Sequence, residues 1–445
     1  MFPLLSRPWA AVLGLTPVLA LTLLAAACGE SKEVSPLAEA SLRPDAQTPI
    51  VVPPEAPIVV GVSAPLTGPD EAEGIEDRDA VIVGVERWKE RNGSLIKGHE
   101  IEVRAEDDGC TEADITAQAA ERLLRSEGLV GVIGPSCSAG AQRAIPVYAQ
   151  AGIVVISGSA TESALTTSQP EGRFFFRTAY RNDLEGTLAG LFTSVDLQAK
   201  KVYLVDDGEA YGVDLANAAQ KALLANGVIV TRDTVQRGIV DFSQLAKKIA
   251  AENPDLVGYT GFNPEAALFY RQLRDSGYKG IFGSVDAAAS VPSFVEPVGA
   301  QAEGVFFAGC SLTLPEDFVA DFQGVHGHRP EASAFVAQDA DAAAILLDAV
   351  AQVAAQQADG SLTVDPAALR DAVRDTMLQD GLSGSFAFDE NGDRVPRRGD
   401  VLSQVVDTAL TSGNTEIFVD FGLVPCQVQD GKLVNLLGPG AGQIR

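Results

Sequence analysis

From Ile58 onward, short apolar runs alternate with longer stretches in which apolar residues recur every three or four positions. The runs are IVVGVSAP (58–65), EIEVRAED (100–107), VGVIG (130–134), IVVIS (153–157), KVYLVDD (201–207), VIVTRD (228–233), DLVGYTG (255–261) and IFGSV (281–285). Between them the spacing predicts helices. Asp77–Asn92 carries Val81, Val85 and Trp88 on one face and stops at Asn92-Gly93. A second helix, capped by Thr111 with Asp114 in its first turn, runs to Ser126, with Gly128 just past its end. Others are predicted over Tyr211–Asn226, Phe242–Glu252 and Pro264–Ser276. Apolar strands alternating with amphipathic helices imply parallel sheets covered on both faces. About ten strands precede Gly304, more than one doubly wound domain of ordinary size holds, so two similar lobes are expected. RTAYRND (177–183) fits a crossover between them. Beyond Gly304 the pattern turns helical (Pro315–Phe322, Gln338–Gln357, Asp365–Thr376). It then becomes β from FAFDENGDRVP to a tail of short strands.

The N-terminus departs from this pattern. Arg7 precedes an apolar run from Trp9 to Ala27, which ends Leu24-Ala25-Ala26-Ala27-Cys28-Gly29. That is the shape of a secretory signal over residues 1–27. The small residues before Cys28 resemble a bacterial lipoprotein signal, which implies that Cys28 is lipidated. Ala25 stands where such signals usually have Leu, so an ordinary cleavage site and an uncleaved anchor stay open as alternatives. All three readings put the body outside the cytoplasmic membrane, as a cell-membrane lipoprotein or a periplasmic protein. Residues 28–57, rich in Pro, Ala, Glu and Ser, read as a flexible tether. No other apolar run reaches the roughly 18–20 residues that span a bilayer.

Composition sharpens the class. The 445 residues are 46% hydrophobic and 21% charged, enough to bury sizeable cores. A formal net charge of −27 argues against nucleic acid or an anionic membrane surface as a partner. Apart from Cys28 there are four cysteines, an even number suited to an oxidising compartment. Cys110 and Cys137 each follow a strand. Were these strands parallel neighbours ending level, the two would lie within bridging distance. The bridge would close a loop of about 28 residues, worth roughly 3–4 kcal/mol. Cys310 and Cys426 remain, as a second bridge or as two buried thiols.

The segment from Val130 to Leu165 carries the clearest functional signal. Both of its turns, GPSCS and GSATES, fall at the carboxyl ends of buried strands, where open α/β sheets bind ligands. Small hydroxyl residues entering a helix gather O–H and free backbone N–H groups that suit a carboxylate. Ser138 and Thr161 are the candidates. Catalytic machinery is not evident, and the chain reads as no enzyme. An esterase or amidase using Ser138 would need a histidine, and none of His99, His326 and His328 stands in a strand-end loop. There is no G-x-S-x-G elbow, no Walker-type loop and no G-x-G-x-x-G after the first strand. His326-x-His328 lacks the Cys or carboxylate spacing of a metal site, so no metal and no cofactor are expected. Asp389–Asp393 (DENGD) reads as a β-turn rather than a calcium loop.

Nine segments in order, VGVSAPLTGP, EDDGC (to Cys110), GPSCS (Cys137, Ser138), VISGSATESALT, FFFRTAYRND, VDDGEAYG, DFSQL, GYTGFNPE and AEGVFF, resemble the bacterial periplasmic binding proteins for branched-chain amino acids. The resemblance covers Ile58 to Asp407. It implies a type I periplasmic-binding fold of two doubly wound α/β lobes joined by three crossovers, with a ligand cleft between them. Lobe 1 would comprise 58–180 and 306–385, lobe 2 181–305 and 386–430, and 431–445 a C-terminal tail. By the same resemblance Ser138 and Thr161 hold a ligand's α-carboxylate. The Ser159 carbonyl and Asp286 take its α-ammonium, although Asp286 lies one residue later than the family's acid. Tyr211 and Phe262 close over the ligand from lobe 2, and Tyr180 lines the first crossover within reach of it. Glu73 stands where the family has an aromatic. A carboxylate there disfavours an aliphatic side chain and favours a basic or polar one. The implied role is capture of an amino acid or similar solute by a monomer, tethered through its lipid, and delivery to ABC permease subunits. A ligand-sensing module reporting to a membrane receptor uses the same fold and stays open.

Overall fold

Two sheets carry the molecule. The first runs, in spatial order, Leu95–Ile96, His99–Asp107, Ile58–Ala64, Leu129–Ile133, Val154–Ser157 and Phe175–Arg177. It is parallel except for the short hairpin at its edge. The second runs Lys432–Asn435, Cys426–Gln429, Phe306–Phe307, Ile281–Ser284, Leu256–Thr260, Lys201–Asp206 and Ile229–Thr234. Its last five strands are parallel, and the Cys426–Asn435 hairpin closes its edge antiparallel. The central strand Ile58–Ala64 is buried at every position, which explains its unbroken apolar run. The computed structural model describes residues 46–168, 174–310 and 312–437. The signal segment, Cys28 and the tether up to residue 45 lie outside the described residues. Among the described residues no helix is long and apolar enough to cross a membrane.

Helices cover both faces of each sheet. In the first lobe the largest core joins the strand residues to Trp88, Tyr148 and the long helix Val336–Val353. That helix returns from the far end of the sequence to pack on helix Glu71–Asn92, and Trp88 Nε1 donates to Asp348 Oδ1 at 2.7 Å. Gly84 permits the close approach: a Cβ there would lie 2.7 Å from the Ala340 carbonyl. The second lobe has its own core around Tyr203, Tyr259, Phe269, Phe282 and Phe294.

The structure moves several expected boundaries. Ile50–Val52 pairs with Leu362–Val364, so the last residues of the expected 28–57 tether belong to the fold. Phe306–Phe307 pairs within the second sheet, so lobe 2 extends past 305. Lobe 1 resumes where Phe318 and Phe322 pack on Ala80 and Val83. It also continues past 385, because Phe386 and Phe388 sit in its core. The expected 431–445 tail begins inside the Cys426–Asn435 hairpin. Helix Glu71–Asn92 starts six residues earlier than its apolar face suggests, and the next helix is Ala113–Leu124, entered from Glu112 rather than capped by Thr111.

Both pairs of cysteines are bridged, Cys110–Cys137 with Cα atoms 5.0 Å apart and Cys310–Cys426 at 6.1 Å. The strands before Cys110 and Cys137 are not neighbours, contrary to the expectation from their order in the chain. They flank Ile58–Ala64, and their loops meet over its carboxyl end. Asp108 fixes that meeting point, taking the Ser63 hydroxyl at 2.9 Å and donating its N–H to the Ala64 carbonyl at 3.0 Å. The chain changes lobes three times. The first and third passages are tied by a fully buried ion pair, Arg177 Nε to Asp393 Oδ1 at 2.7 Å. Asp393 ends the DENGD segment, which forms a turn around Asp389.

Candidate ligand cleft

Strand ends from both sheets face a cleft between the lobes. Its walls include Ser136, Cys137, Ser138 and Ser159 from lobe 1, Tyr211, Phe262 and Asp286 from lobe 2, and Ala332–Phe335 from the second passage. Ser138 is the first residue of helix Ser138–Gln150, where backbone N–H groups have no partner within the helix. Its buried hydroxyl accepts the Glu162 N–H at 3.2 Å and keeps its own hydrogen to donate. Ser159 Oγ donates to the Ser136 carbonyl at 3.1 Å, which joins the two strand-end turns. This corner can hold a carboxylate through hydroxyls and helix-start amides.

Opposite it the cleft is acidic. Asp286 lies buried after strand Ile281–Ser284 and receives the hydroxyls of Tyr211 and, at 3.3 Å, Tyr180. Behind it stands Glu185, whose Oε1 accepts the Asp286 N–H at 2.9 Å. Burial and the neighbouring Asp286 charge push the Glu185 carboxyl well above the ordinary range. Asp286 is raised by burial, but hydrogen bonds from Tyr211 and Glu185 oppose the rise. Of the pair, Glu185 is driven further up and takes a shared proton first, and Asp286 is the carboxyl that faces the cleft. Lobe 1 repeats the arrangement. Asp77 lines the cleft and takes the Ser333 hydroxyl at 2.5 Å. Asp339 stands behind it, driven well above its usual range by burial and by the Asp77 charge. Gly158 makes room for that second acid, since a Cβ there would lie 2.0 Å from Asp339 Oδ1.

Glu73 differs from both. It lines the cleft, and both of its carboxylate oxygens are buried with no strong hydrogen-bond partner. Burial pushes its carboxyl up to about 7, weakly opposed by its own backbone N–H and by Ser293 and reinforced by the charges of Asp70 and Asp77. Beside it the lobes are latched. Arg237, in the loop after strand Ile229–Thr234 of lobe 2, donates Nη2 to both oxygens of Asp70 in lobe 1, at 2.6 and 2.5 Å. Its guanidinium lies 4.0 Å from the Phe262 ring centroid.

Of the residues expected from sequence, Ser138, Ser159, Tyr211, Phe262, Asp286 and Glu73 all line this cleft. Thr161 and Tyr180 do not. Thr161 is fully buried with its hydroxyl unpartnered. Tyr180 supports Asp286 and packs on Phe335, with ring centroids 5.6 Å apart, so it acts through those two side chains. Sequence reasoning missed Asp70, Asp77, Phe335, Arg237 and the two backing acids. Asp70 and Asp77 lie in the acidic stretch 70–79, which alone could have pointed to them. Arg237 and Phe335 carry no local signature. No histidine lines the cleft among the described residues.

Two doubly wound lobes, three passages between them and a polar interlobe cleft define a bilobal binding protein. The chain belongs to the periplasmic binding protein family, whose model matches residues 57–408. It is 28% identical over 338 residues to the Leu/Ile/Val-binding protein of Escherichia coli (strain K12), covering 76% of this chain and 88% of that protein. It is 32% identical over 236 residues to an amino acid binding protein of Pseudomonas aeruginosa, covering 53% of this chain and 62% of that relative's length. Among solved structures it resembles a leucine-binding protein from Thermotoga maritima, at 25% identity and a TM-score of 0.68, over 85% of this chain and 97% of the other. The fold is thus the type I periplasmic-binding fold that the resemblance implied.

Proposed function

We propose that this chain is an extracytoplasmic solute-binding protein that captures an amino acid, or a related small polar solute, by lobe closure and delivers it to an ABC importer. One observation carries the reading. A carboxylate corner at Ser138 and the acidic Asp286 face each other across one cleft between the lobes. A ligand joined at both ends ties the lobes together and favours the closed state. Thr161, with its unpartnered hydroxyl, adds to the carboxylate corner once a ligand draws the segment inward.

The remaining acids set the preference. Glu73 and Asp77 lie where an aliphatic side chain would strand two carboxylates in a dry cleft, which is costly. A basic side chain, as in an amino acid with a second amino group, satisfies them. A thermal-shift screen followed by calorimetry tests both parts. Binding of lysine, ornithine or arginine, weakened selectively by Glu73→Gln, supports the full reading. Binding of leucine with equal loss for all ligands in Glu73→Gln keeps the amino-acid function and removes the Glu73 role. Tight binding of an acid without an amino group refutes the role of Asp286. Cys28 carries the lipid on this reading, and Cys28→Ala should release the protein from the membrane fraction.

A further inference from the structure

We propose that His326, His328 and Glu76 form a site for one divalent cation of the zinc class on lobe 1, separate from the ligand cleft. His326 ends helix Glu316–His326, and Gly327, at φ 96°, turns the chain so that His328 folds back onto it. The two Nε2 atoms lie 2.9 Å apart. A carboxylate oxygen of Glu76 is the third donor, and the three ligand atoms all lie within 4.8 Å of one another.

The hydrogen-bond partners of the rings decide what the Nε2 atoms present. His328 Nδ1 faces the Arg329 carbonyl at 2.8 Å. A carbonyl oxygen only accepts, so Nδ1 holds the hydrogen. His326 Nδ1 faces Asp79 Oδ2 at 2.5 Å, and the carboxylate fixes the same tautomer. Each neutral ring then turns a bare lone pair on Nε2 toward the other. Two lone pairs at that separation repel unless a proton on one Nε2, donated to the other, or a metal cation sits between them. A carboxylate or carbonyl behind each imidazole is the outer-shell support that metal-bound histidines show. Glu76 is not exhausted by the loop it anchors. Its Oε2 takes the N–H groups of Ala332 and Ser333 at 2.9 Å each, whereas Oε1 takes that of Glu331 alone at 3.0 Å and retains a lone pair. Two imidazoles and one carboxylate suit zinc, copper or nickel rather than magnesium or calcium. His328 is exposed, so water completes the fourth position. Because Glu76 also holds Glu331–Ser333, and Ala332–Phe335 form one wall of the cleft, the cation would brace that wall from behind.

The test is titration of zinc chloride into the chelator-treated full chain, with excess magnesium present to occupy surface carboxylates. The expected result is one saturable site with an affinity at least about 10-fold weaker in His328→Ala, and about 10–100-fold weaker in Asp79→Asn. Cobalt substituted for zinc should show visible absorption of nitrogen-ligated tetrahedral metal, absent in His328→Ala. His328 is exposed, so that variant keeps the fold. Failure to saturate at one equivalent, or uptake unchanged in His328→Ala, overturns the proposal.

Discussion

Replacing Glu73 by Gln tests the electrostatics of the cleft without a ligand. Glutamine matches protonated glutamate in shape and does not titrate. In the folded chain the Glu73 carboxyl is raised from 4.5 to about 7, mainly by burial. An acid whose folded value exceeds its unfolded one binds its proton more tightly when folded. Its contribution to stability is therefore complete below 4.5 and is lost as pH rises to 7. At 1.36 kcal/mol per unit, the whole loss is about 3 kcal/mol. Work near pH 5.5 avoids the sequence pI of 4.4, where the protein is least soluble. From there to pH 8, about 1.5 units of the rise remain, so Glu73→Gln should gain about 2 kcal/mol on the wild type. Urea unfolding of both proteins at the two pH values reads this directly. A stability gap that stays constant between pH 5.5 and 8 would refute the assignment. A cationic ligand adds a counterpart: it draws the carboxyl down, so its affinity for the wild type should climb as pH rises through 7, and the climb should vanish in the variant.

The paired acids give a contrast. Asp286→Asn should weaken an amine-bearing ligand by roughly 1.5–3 kcal/mol, whereas Glu185→Gln should be nearly neutral because Glu185 takes the shared proton first; equal losses by calorimetry would mean the proton is misplaced. Thr161→Ala should cost about 1–3 kcal/mol of ligand affinity, and unchanged binding would remove Thr161 from the carboxylate corner. Arg237→Ala breaks the pair with Asp70 and the contact over Phe262. Solution scattering should then show a larger radius of gyration without ligand, and an unchanged radius would show that the latch does not hold the lobes. Replacing Cys110 and Cys137 by serine should lower stability by roughly 3–4 kcal/mol in denaturant unfolding, and no loss would mean that the loop is already constrained by Asp108.

The strands were legible because two-sided burial writes itself as unbroken apolar runs such as VGVIG and IVVIS. The carboxyl ends of those runs pointed to Ser138 and Thr161, whereas Ser159 and Asp286 came only from the family resemblance. The start of helix Glu71–Asn92 was not legible. Residues 71–79 look like a solvated acidic face, yet Glu76, Asp77 and Asp79 are buried. Besides Arg78 and Ser159, their partners are backbone amides, a serine and a histidine from residues 326–333, some 250 positions away. Periodicity reads polarity as exposure, and only tertiary donors reverse that reading. The bridge between Cys110 and Cys137 was reached by assuming that strands consecutive in sequence are neighbours in the sheet. The pair is real for a different reason, since the sheet winds outward from Ile58–Ala64 in both directions. Arg237 and Phe335 sit on connecting segments whose path depends on how the lobes meet, and no local pattern encodes that.

The two disulfides divide between the lobes. Cys110–Cys137 ties loops of lobe 1, Cys310 and Cys426 lie together in the core of lobe 2, and neither bridge spans the cleft. Each staple shrinks the denatured ensemble of its own half and leaves the opening coordinate unconstrained. Durability against unfolding and freedom to open are thereby assigned to different parts of the molecule. An oxidising surrounding can harden the two jaws without stiffening the joint between them.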